Sequence, residues 1–297
     1  LEDLTRMARA IGSLLRLTRA GWVMAREGLL TAMAPPDPPP LGRLVVALAS
    51  LIEKKDAEGA SRGQRASRAL NRLGPSYVKL GQFLATRPDV VGAAMAEDLE
   101  ALQDRVDPFD HDLAEKLVAR ALGKPVAELF VEFGAPVAAA SIAQVHKARA
   151  TGRDGTVRDV AVKVLRPDVE ARFARDLSAF YLAARLIEAV VPATRRLRLV
   201  AVVDTLARSV RLEMDLRLEA AAISELAENA SGDPDFRLPA VDWERTQRGV
   251  LTTEWIDGVK LSDRAGLDAA GHDRARLGRV VMQTFLRHAV RDGFFHA

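Results

Sequence analysis

Apolar residues recur at helical spacing along most of the chain. The clearest run has apolar residues three or four positions apart, at Val203, Leu206, Val210, Met214 and Leu218. This spacing puts them on one face of an α-helix, so Leu199–Glu228 is predicted to form one continuous helix. Similar patterns predict helical segments over Leu4–Leu30, Leu41–Leu122, Val169–Val191 and about Asp273–Asp292.

Shorter runs between Val126 and Arg166, and again near Val250, predict β-strands. The predicted strands cover Leu129–Phe133, Ile142–Ala148, Val157–Leu165 and Val250–Ile256. A turn with Gly152 and Gly155 joins the second strand to the third. Helices segregated against a small antiparallel sheet are typical of an α+β fold, which is the predicted fold class.

The proline-rich segment Ala34–Pro40 marks the clearest boundary, because such a run favours a stiff linker. Five segments are predicted: an amphipathic N-terminal helix (1–33), the linker (34–40), a helical extension (41–125), a sheet-bearing segment (126–256) and the start of a second helical segment (257–297). The N-terminal helix carries arginines and Trp22. It suits either a membrane surface or packing on its own domain.

Composition narrows the possible chemistry. The 297 residues contain no cysteine, which excludes disulfides, zinc–thiolate sites and cysteine nucleophiles. The formal net charge of +3 is not typical of a nucleic-acid-binding protein, so no nucleic-acid partner is expected. The apolar runs are too short for a membrane-spanning helix. Only eight of the 43 basic residues are lysines, which makes a lysine within a motif informative.

Lys163 lies on a predicted strand whose neighbouring side chains are apolar. Side chains alternate between two faces of a strand, so Lys163 shares its face with Ala161 and Leu165. An unpaired ammonium in such surroundings is costly. Two interpretations stay open: the lysine reaches outward to solvent, or it holds an anion and a carboxylate in a cleft.

An alanine-rich run precedes this strand. Ala138, Ala139 and Ala140 lie in a predicted hairpin turn, where a protein kinase carries glycines that let backbone N–H groups approach phosphate. Three methyl groups would hold the turn further from a phosphate or in another conformation. An ordinary apolar hairpin is the alternative.

Two pairs of polar residues on predicted helices complete the candidate set. Asp215 and Glu219 are four positions apart and are predicted to share a helix face, where Arg211 could instead form a surface pair with Asp215. Lys79 and Gln82 are three positions apart near the start of another helix. A solvated helix face is the alternative for that second pair.

Taken in order, these motifs resemble those of the UbiB family of atypical, protein-kinase-like proteins linked to ubiquinone biosynthesis. Lys79–Gln82 matches the family's K-x-G-Q signature, Ala138–His146 its alanine-rich nucleotide loop, Val160–Pro167 its lysine strand and Glu213–Asp215 its E-x-D motif. The resemblance covers the chain from about Ala60 onward. It implies a protein-kinase-like α+β fold with a K-x-G-Q extension (41–125), an N-lobe with its hinge (126–256) and the start of a truncated C-lobe (257–297).

The resemblance also implies a role for each matched residue. Lys163 would hold nucleotide phosphates and pair with Glu219, while Glu254 and Ile256 would belong to the hinge that meets the adenine. The loop over the phosphates would comprise Pro136, Val137, Ala138, Ala139, Ala140, Ser141, Ile142, Ala143 and Gln144.

In the family, the K-x-G-Q helix folds over the nucleotide site. Lys79 and Gln82 would therefore approach Glu213 and Asp215 and obstruct a protein substrate. The family's catalytic aspartate, metal ligands and bacterial membrane helices would follow Ala297. The chain is therefore expected to be a fragment that is inactive alone, with no catalytic residue and no metal ligand of its own.

The resemblance implies ATP and Mg²⁺ as cofactors. It implies an ATPase or phosphoryl-transfer activity that supports ubiquinone biosynthesis at the cytoplasmic face of the bacterial inner membrane. Expected partners are ATP or ADP, a membrane lipid or quinone precursor, and other ubiquinone-biosynthesis proteins. Two alternatives stay open: a conventional Ser/Thr protein kinase, and a nucleotide-gated scaffold that binds lipid or a partner without turnover. The alanine-rich loop and the K-x-G-Q helix argue against the conventional kinase.

Overall fold

The computed structural model describes residues 2–32, 34, 40–54, 59, 61–100 and 107–294. Most of the predicted linker (35–39) and the last residues (295–297) lie outside these ranges. The chain divides into two compact units. Unit 1 comprises Leu1–Pro108, Ala139–Ala143 and Arg166–Arg211, and unit 2 comprises Phe109–Ala138, Gln144–Leu165 and Leu212–Ala297. The five segment boundaries drawn from the sequence stay a prediction.

The helices are numbered in chain order across both units. They are α1 (Glu2–Arg26), α2 (Leu29–Ala32), α3 (Pro40–Ile52), α4 (Arg62–Leu73), α5 (Pro75–Ala85), α6 (Pro88–Val91), α7 (Ala93–Glu100), α8 (His111–Leu122), α9 (Val126–Leu129), α10 (Val169–Val190), α11 (Leu199–Glu213), α12 (Leu216–Asn229), α13 (Arg264–Ala269) and α14 (Arg274–Leu286). A π-helical turn, Arg287–Asp292, continues α14.

In unit 1, a tight turn precedes the K-x-G-Q helix. Gly74 lies between α4 and α5 with a φ of 107°, a conformation that favours glycine. Pro75 then opens α5, where its missing N–H costs no helical hydrogen bond. Inside α5, the buried Tyr77 packs edge-on against Phe180 of α10, with ring centroids 4.9 Å apart.

Unit 2 is built around one four-stranded sheet. The strands β1 (Glu132–Ala139), β2 (Ala143–Thr151), β3 (Val157–Leu165) and β4 (Val250–Glu254) lie in the order β1-β2-β3-β4. Strand β3 pairs antiparallel with β4, which puts Lys163 opposite Leu251. The buried side chains of Val160, Val162 and Val164 join the core on one face of β3. The predicted alternation along β3 is therefore confirmed, and Lys163 lies on the other face.

The predicted single helix over Leu199–Glu228 is wrong. The helix ends at Glu213 and a new one begins at Leu216, because Asp215 acts as an N-cap whose Oδ1 accepts a hydrogen bond from the Arg217 backbone N–H at 3.2 Å. Asp215 therefore does not share a helix face with Glu219. Its side chain pairs with Arg217, through contacts of 2.9 and 2.6 Å, and not with Arg211.

The hairpin before β3 also differs from the prediction. Val126–Leu129 is a helical turn, and the first strand begins only at Glu132 and continues to Ala139. Buried Leu129 and Phe130 belong to the core of unit 2. A short apolar run of this kind does not distinguish helix from strand by its periodicity. The alanine-rich turn is consequently shorter than expected, with residues 140–142 between the two strands.

Candidate functional site

Lys163 and Glu219 form an ion pair in unit 2. The Lys163 Nζ atom donates to Glu219 Oε2 at 2.7 Å and to Oε1 at 3.0 Å. The two side chains are 30% and 43% exposed, so the pair is open to a ligand from solvent. The structure thus brings together the lysine and the carboxylate that the family resemblance pairs.

The fold positions this pair through β4 and α12. Leu216 and Ala220 on α12 are fully buried, and α12 packs against β4. The Leu216 backbone N–H donates to the Arg248 carbonyl at 3.0 Å, just before β4. Glu219 lies in the first turn of α12, where the positive end of the helix dipole favours a carboxylate. Because β4 neighbours β3, Glu219 comes within reach of Lys163.

The ion pair contributes little to stability. Partly exposed pairs typically contribute about 0–1 kcal/mol. The Lys163 ammonium nevertheless has Ala161 and Leu251 as neighbours. Removing it from water beside such apolar side chains would be unfavourable if it had no partner. A lysine ammonium has three donors and can bridge a carboxylate and a phosphate. This arrangement suits ligand binding better than it suits stabilisation of the fold.

The alanine-rich segment has an exposed part and a buried part. Val137 and Ala138 are exposed, whereas Pro136, Ala139 and Ala140 are half-buried. The next residues of the predicted loop are buried: Ser141, Ile142, Ala143 and Gln144. The Ala140 N–H donates to the Ala143 carbonyl at 2.8 Å and closes the turn. The structure therefore leaves mainly the first half of the predicted phosphate loop open to a ligand.

Gln144 and His146 form a buried polar network at the base of this hairpin. Gln144 Oε1 accepts from the Phe109 N–H at 2.8 Å, and its Nε2 donates to the Phe109 carbonyl at 3.3 Å. That amide nitrogen also donates to His146 Nε2 at 2.9 Å, so His146 Nδ1 donates to the Gly134 carbonyl at 2.8 Å. Burial lowers the pKa of His146, which agrees with a neutral ring.

This network gives the Gln144 side chain a structural role that sequence reasoning missed. Any contact of Gln144 with a nucleotide would have to come from its backbone. Gly134 is equally constrained, because a Cβ atom there would lie 2.7 Å from the Lys147 carbonyl oxygen. Sequence reasoning also gave no role to Arg166, which follows β3. Its Nε donates to the Ala140 carbonyl and its Nη2 to the Asp107 carbonyl, both at 2.8 Å.

The predicted hinge begins at Glu254, whose side chain is already engaged. Its carboxylate accepts hydrogen bonds from Arg237 at 2.8 to 3.0 Å and from the Ala240 N–H at 3.3 Å. The bonds from Arg237 lower the pKa of Glu254. Glu254 lies opposite Val160, on the sheet face that does not carry Lys163. Only its backbone is left for a hinge contact, while the neighbouring Ile256 is exposed.

The K-x-G-Q and E-x-D residues lie in different units. Lys79 and Gln82 are half-buried on α5 of unit 1. Glu213 ends α11, and Asp215 caps α12 in unit 2. The hydrogen bonds from Arg217 lower the pKa of Asp215. The predicted approach of the two motifs stays a prediction.

The described residues hold neither a metal-binding cluster nor a membrane-spanning helix. Among the residues described, no group of three or more His, Asp or Glu side chains could hold a metal ion. Within the same ranges, no helix is long and apolar enough to cross a membrane.

Comparison with known proteins gives consistent matches. Residues 101–297 match the ABC1 atypical kinase-like domain. A curated protein from Xanthomonas oryzae pv. oryzae, named "Probable protein kinase UbiB", is 39% identical over 289 residues, or 96% of this chain and 51% of the relative. A protein of the same name from Marinobacter nauticus is 39% identical over 283 residues, or 95% of this chain and 51% of the relative. The chain thus spans about half the length of the curated relatives it matches.

Among solved structures, a Mycobacterium tuberculosis protein in complex with erythromycin is 31% identical, with a TM-score of 0.45. The match covers 62% of this chain and 44% of that protein. The match to the ABC1 atypical kinase-like domain covers most of the chain and includes the lysine strand and the E-x-D motif. The chain belongs to the ABC1 family of atypical kinase-like proteins, and both the UbiB resemblance and the kinase-like α+β fold predicted from its motifs are confirmed.

Proposed function

We propose that this chain binds ATP at the Lys163–Glu219 pair. The observation that carries the proposal is the 2.7 Å contact between Lys163 Nζ and Glu219 Oε2 on a partly exposed face of the sheet. In this proposal Lys163 contacts the nucleotide phosphates, and Glu219 holds the ammonium in place as a positioning residue. Residues 136–144 cover the phosphates with their backbone, and the backbone of Glu254 and Ile256 meets the adenine.

The chemistry proposed for the whole protein is ATP hydrolysis or phosphoryl transfer that supports ubiquinone biosynthesis. The relatives' name and the family support this assignment. Lys79 and Gln82 would approach Glu213 and Asp215 and limit access of a protein substrate. Magnesium would neutralise phosphate charge when bound, but the described residues offer no cluster that fits it. No step of this proposal therefore depends on a metal.

The proposed setting is the cytoplasmic face of the bacterial inner membrane. A lipid or quinone precursor and other ubiquinone-biosynthesis proteins would be the partners there. A nucleotide-gated scaffold without turnover is the second candidate. It is favoured by the large apolar side chains that α1 and α3 leave exposed.

Calorimetric titration with ATP and ADP tests nucleotide binding. Lys163→Ala should weaken ATP binding about tenfold or more, since a hydrogen bond to a charged group contributes about 1.5–3 kcal/mol. Lys116→Ala, an exposed lysine on α8 of the same unit, is the matched control and should leave the Kd unchanged. Equal affinity of the wild type and Lys163→Ala would show that the nucleotide does not bind at this lysine.

A further inference from the structure

Two packed helices of unit 1, α1 and α3, expose a set of large apolar side chains. We name this set the α1–α3 apolar surface. Its side chains are 43% to 80% exposed, and they are Ile11, Leu14, Leu15, Trp22, Leu44, Val45, Leu48, Leu51 and Ile52. A soluble monomer rarely exposes so many large apolar groups on neighbouring elements.

The exposed residues of α3 follow helical spacing. Positions 44, 45, 48, 51 and 52 fall on one face of the helix. Among the side chains of α3 that the structure describes, the small Ala49 is the buried one. The helix therefore turns a small residue towards its neighbours and its large apolar face outward, which is the reverse of an ordinary surface helix.

The described side chains of these two helices carry charges of a single sign. Among the described side chains of α1 and α3, the charged residues are Arg16, Arg19, Arg26 and Arg43, and none is acidic. The Arg26 guanidinium lies 5.0 Å from the centroid of the Trp22 ring. Tryptophan and arginine side chains are both suited to the boundary between hydrocarbon and water.

The acidic residues that directly follow α1 and α3, Glu27 and Glu53, are paired with basic side chains inside unit 1. Glu27 is 5% exposed, and its Oε1 lies 2.9 Å from both Lys54 Nζ and Arg72 Nη1. Glu53 lies 2.6 Å from Arg65 Nη1 and accepts a hydrogen bond from the Thr31 hydroxyl at 2.6 Å. These contacts neutralise the two carboxylates that stand beside the surface.

We propose that the α1–α3 apolar surface docks on an anionic lipid bilayer, with both helices lying in its interface. Amphipathic helices bind such surfaces through buried apolar area together with attraction of Lys and Arg to anionic headgroups. A second copy of this surface would bring arginines against arginines, so the charge favours the lipid. The inference rests on the membrane setting in the proposed function and adds the face that meets the membrane.

Vesicle flotation of the 297-residue chain tests the docking surface. The wild type should float with vesicles of phosphatidylcholine and phosphatidylglycerol, bind phosphatidylcholine alone much more weakly, and be released by salt. Leu48→Glu combined with Leu51→Glu should lower the partition coefficient about tenfold or more. Val281→Glu with Met282→Glu on α14 also changes two exposed apolar residues. This control pair should leave vesicle binding unchanged.

A site-specific label locates the contact without depending on acidic substitutions. Because the chain has no cysteine, Leu51→Cys creates a unique site for an environment-sensitive fluorophore. Its emission should shift to the blue on anionic vesicles. The same label at Met282→Cys, another exposed position, should not respond.

Each contrary result has a separate meaning. Vesicle binding that survives Leu48→Glu with Leu51→Glu, with no shift at the Leu51→Cys label, would overturn the docking face and leave the membrane setting in place. No binding of the wild type to either vesicle would overturn both. A dimer that the acidic pair disrupts, without vesicle binding by the wild type, would assign the surface to a second copy. Nucleotide binding is measured separately and depends on none of these results.

Discussion

Replacing Gln144 with leucine distinguishes a structural role from a ligand-binding role. In the structure, its side-chain amide makes three hydrogen bonds, two to the Phe109 backbone and one to His146 Nε2. Gln144→Leu keeps much of the side-chain volume and removes all three bonds. The substitution should therefore lower the free energy of unfolding.

The magnitude follows from the burial of the groups that lose these bonds. His146 is fully buried, and leaving a buried polar group unsatisfied costs about 1–3 kcal/mol. Phe109 is half-buried, so water can replace part of what its N–H and carbonyl lose. Together these losses amount to roughly 2–4 kcal/mol.

Urea denaturation followed by circular dichroism measures the change in the free energy of unfolding. Gln247→Leu is the matched control, because Gln247 is exposed in the same unit, and it should shift stability by less than about 0.5 kcal/mol. The reasoning would be refuted if Gln144→Leu were as stable as the control. If that stable variant also lost ATP affinity, the Gln144 side chain would be a ligand contact instead.

Two further predictions concern Glu219 and His146. Glu219→Gln should weaken ATP binding in calorimetry. It should change the free energy of unfolding by no more than about 1 kcal/mol, because partly exposed ion pairs stabilise little. A large loss of stability with unchanged ATP affinity would contradict the positioning role. Burial holds the pKa of His146 below its usual 6.5, so the unfolded chain takes up this proton at a higher pH than the folded chain does. The free energy of unfolding should therefore fall as the pH drops below about 6.5, and His146→Gln should make that fall shallower. If the free energy of unfolding, measured by urea titration, fell equally with pH in both proteins, His146 would not be its source.

Local patterns predicted the central strand, but not the partner of the lysine that it carries. The alternation over Val157–Leu165 is long enough to fix both ends of β3, and the structure has the same bounds. The partner of Lys163 was predicted from the family resemblance, because Glu219 lies 56 positions away and no local pattern connects the two. Strand spacing alone left the outward-reaching lysine as an open alternative.

The features missed from the sequence depend on contacts between distant residues. The apolar spacing continues through Asp215, yet the helix is interrupted there. The Leu216 backbone N–H donates instead to the distant Arg248 carbonyl. The partner of Gln144 lies 35 positions away at Phe109. Arg166 bonds to the Ala140 carbonyl, 26 positions earlier. No local period encodes such partners, since burial and distant backbone groups select them.

Labelling with an acyl-phosphate derivative of ATP tests the central claim most directly. Such a probe transfers its acyl group to a lysine amine near the bound phosphates, and mass spectrometry identifies which of the eight lysines carries it. We expect the label on Lys163, with loss of that label when excess ATP is added and no such protection at Lys116. An ATP-protected label on another lysine, with Lys163 unmodified, would contradict the nucleotide site proposed at Lys163 and Glu219.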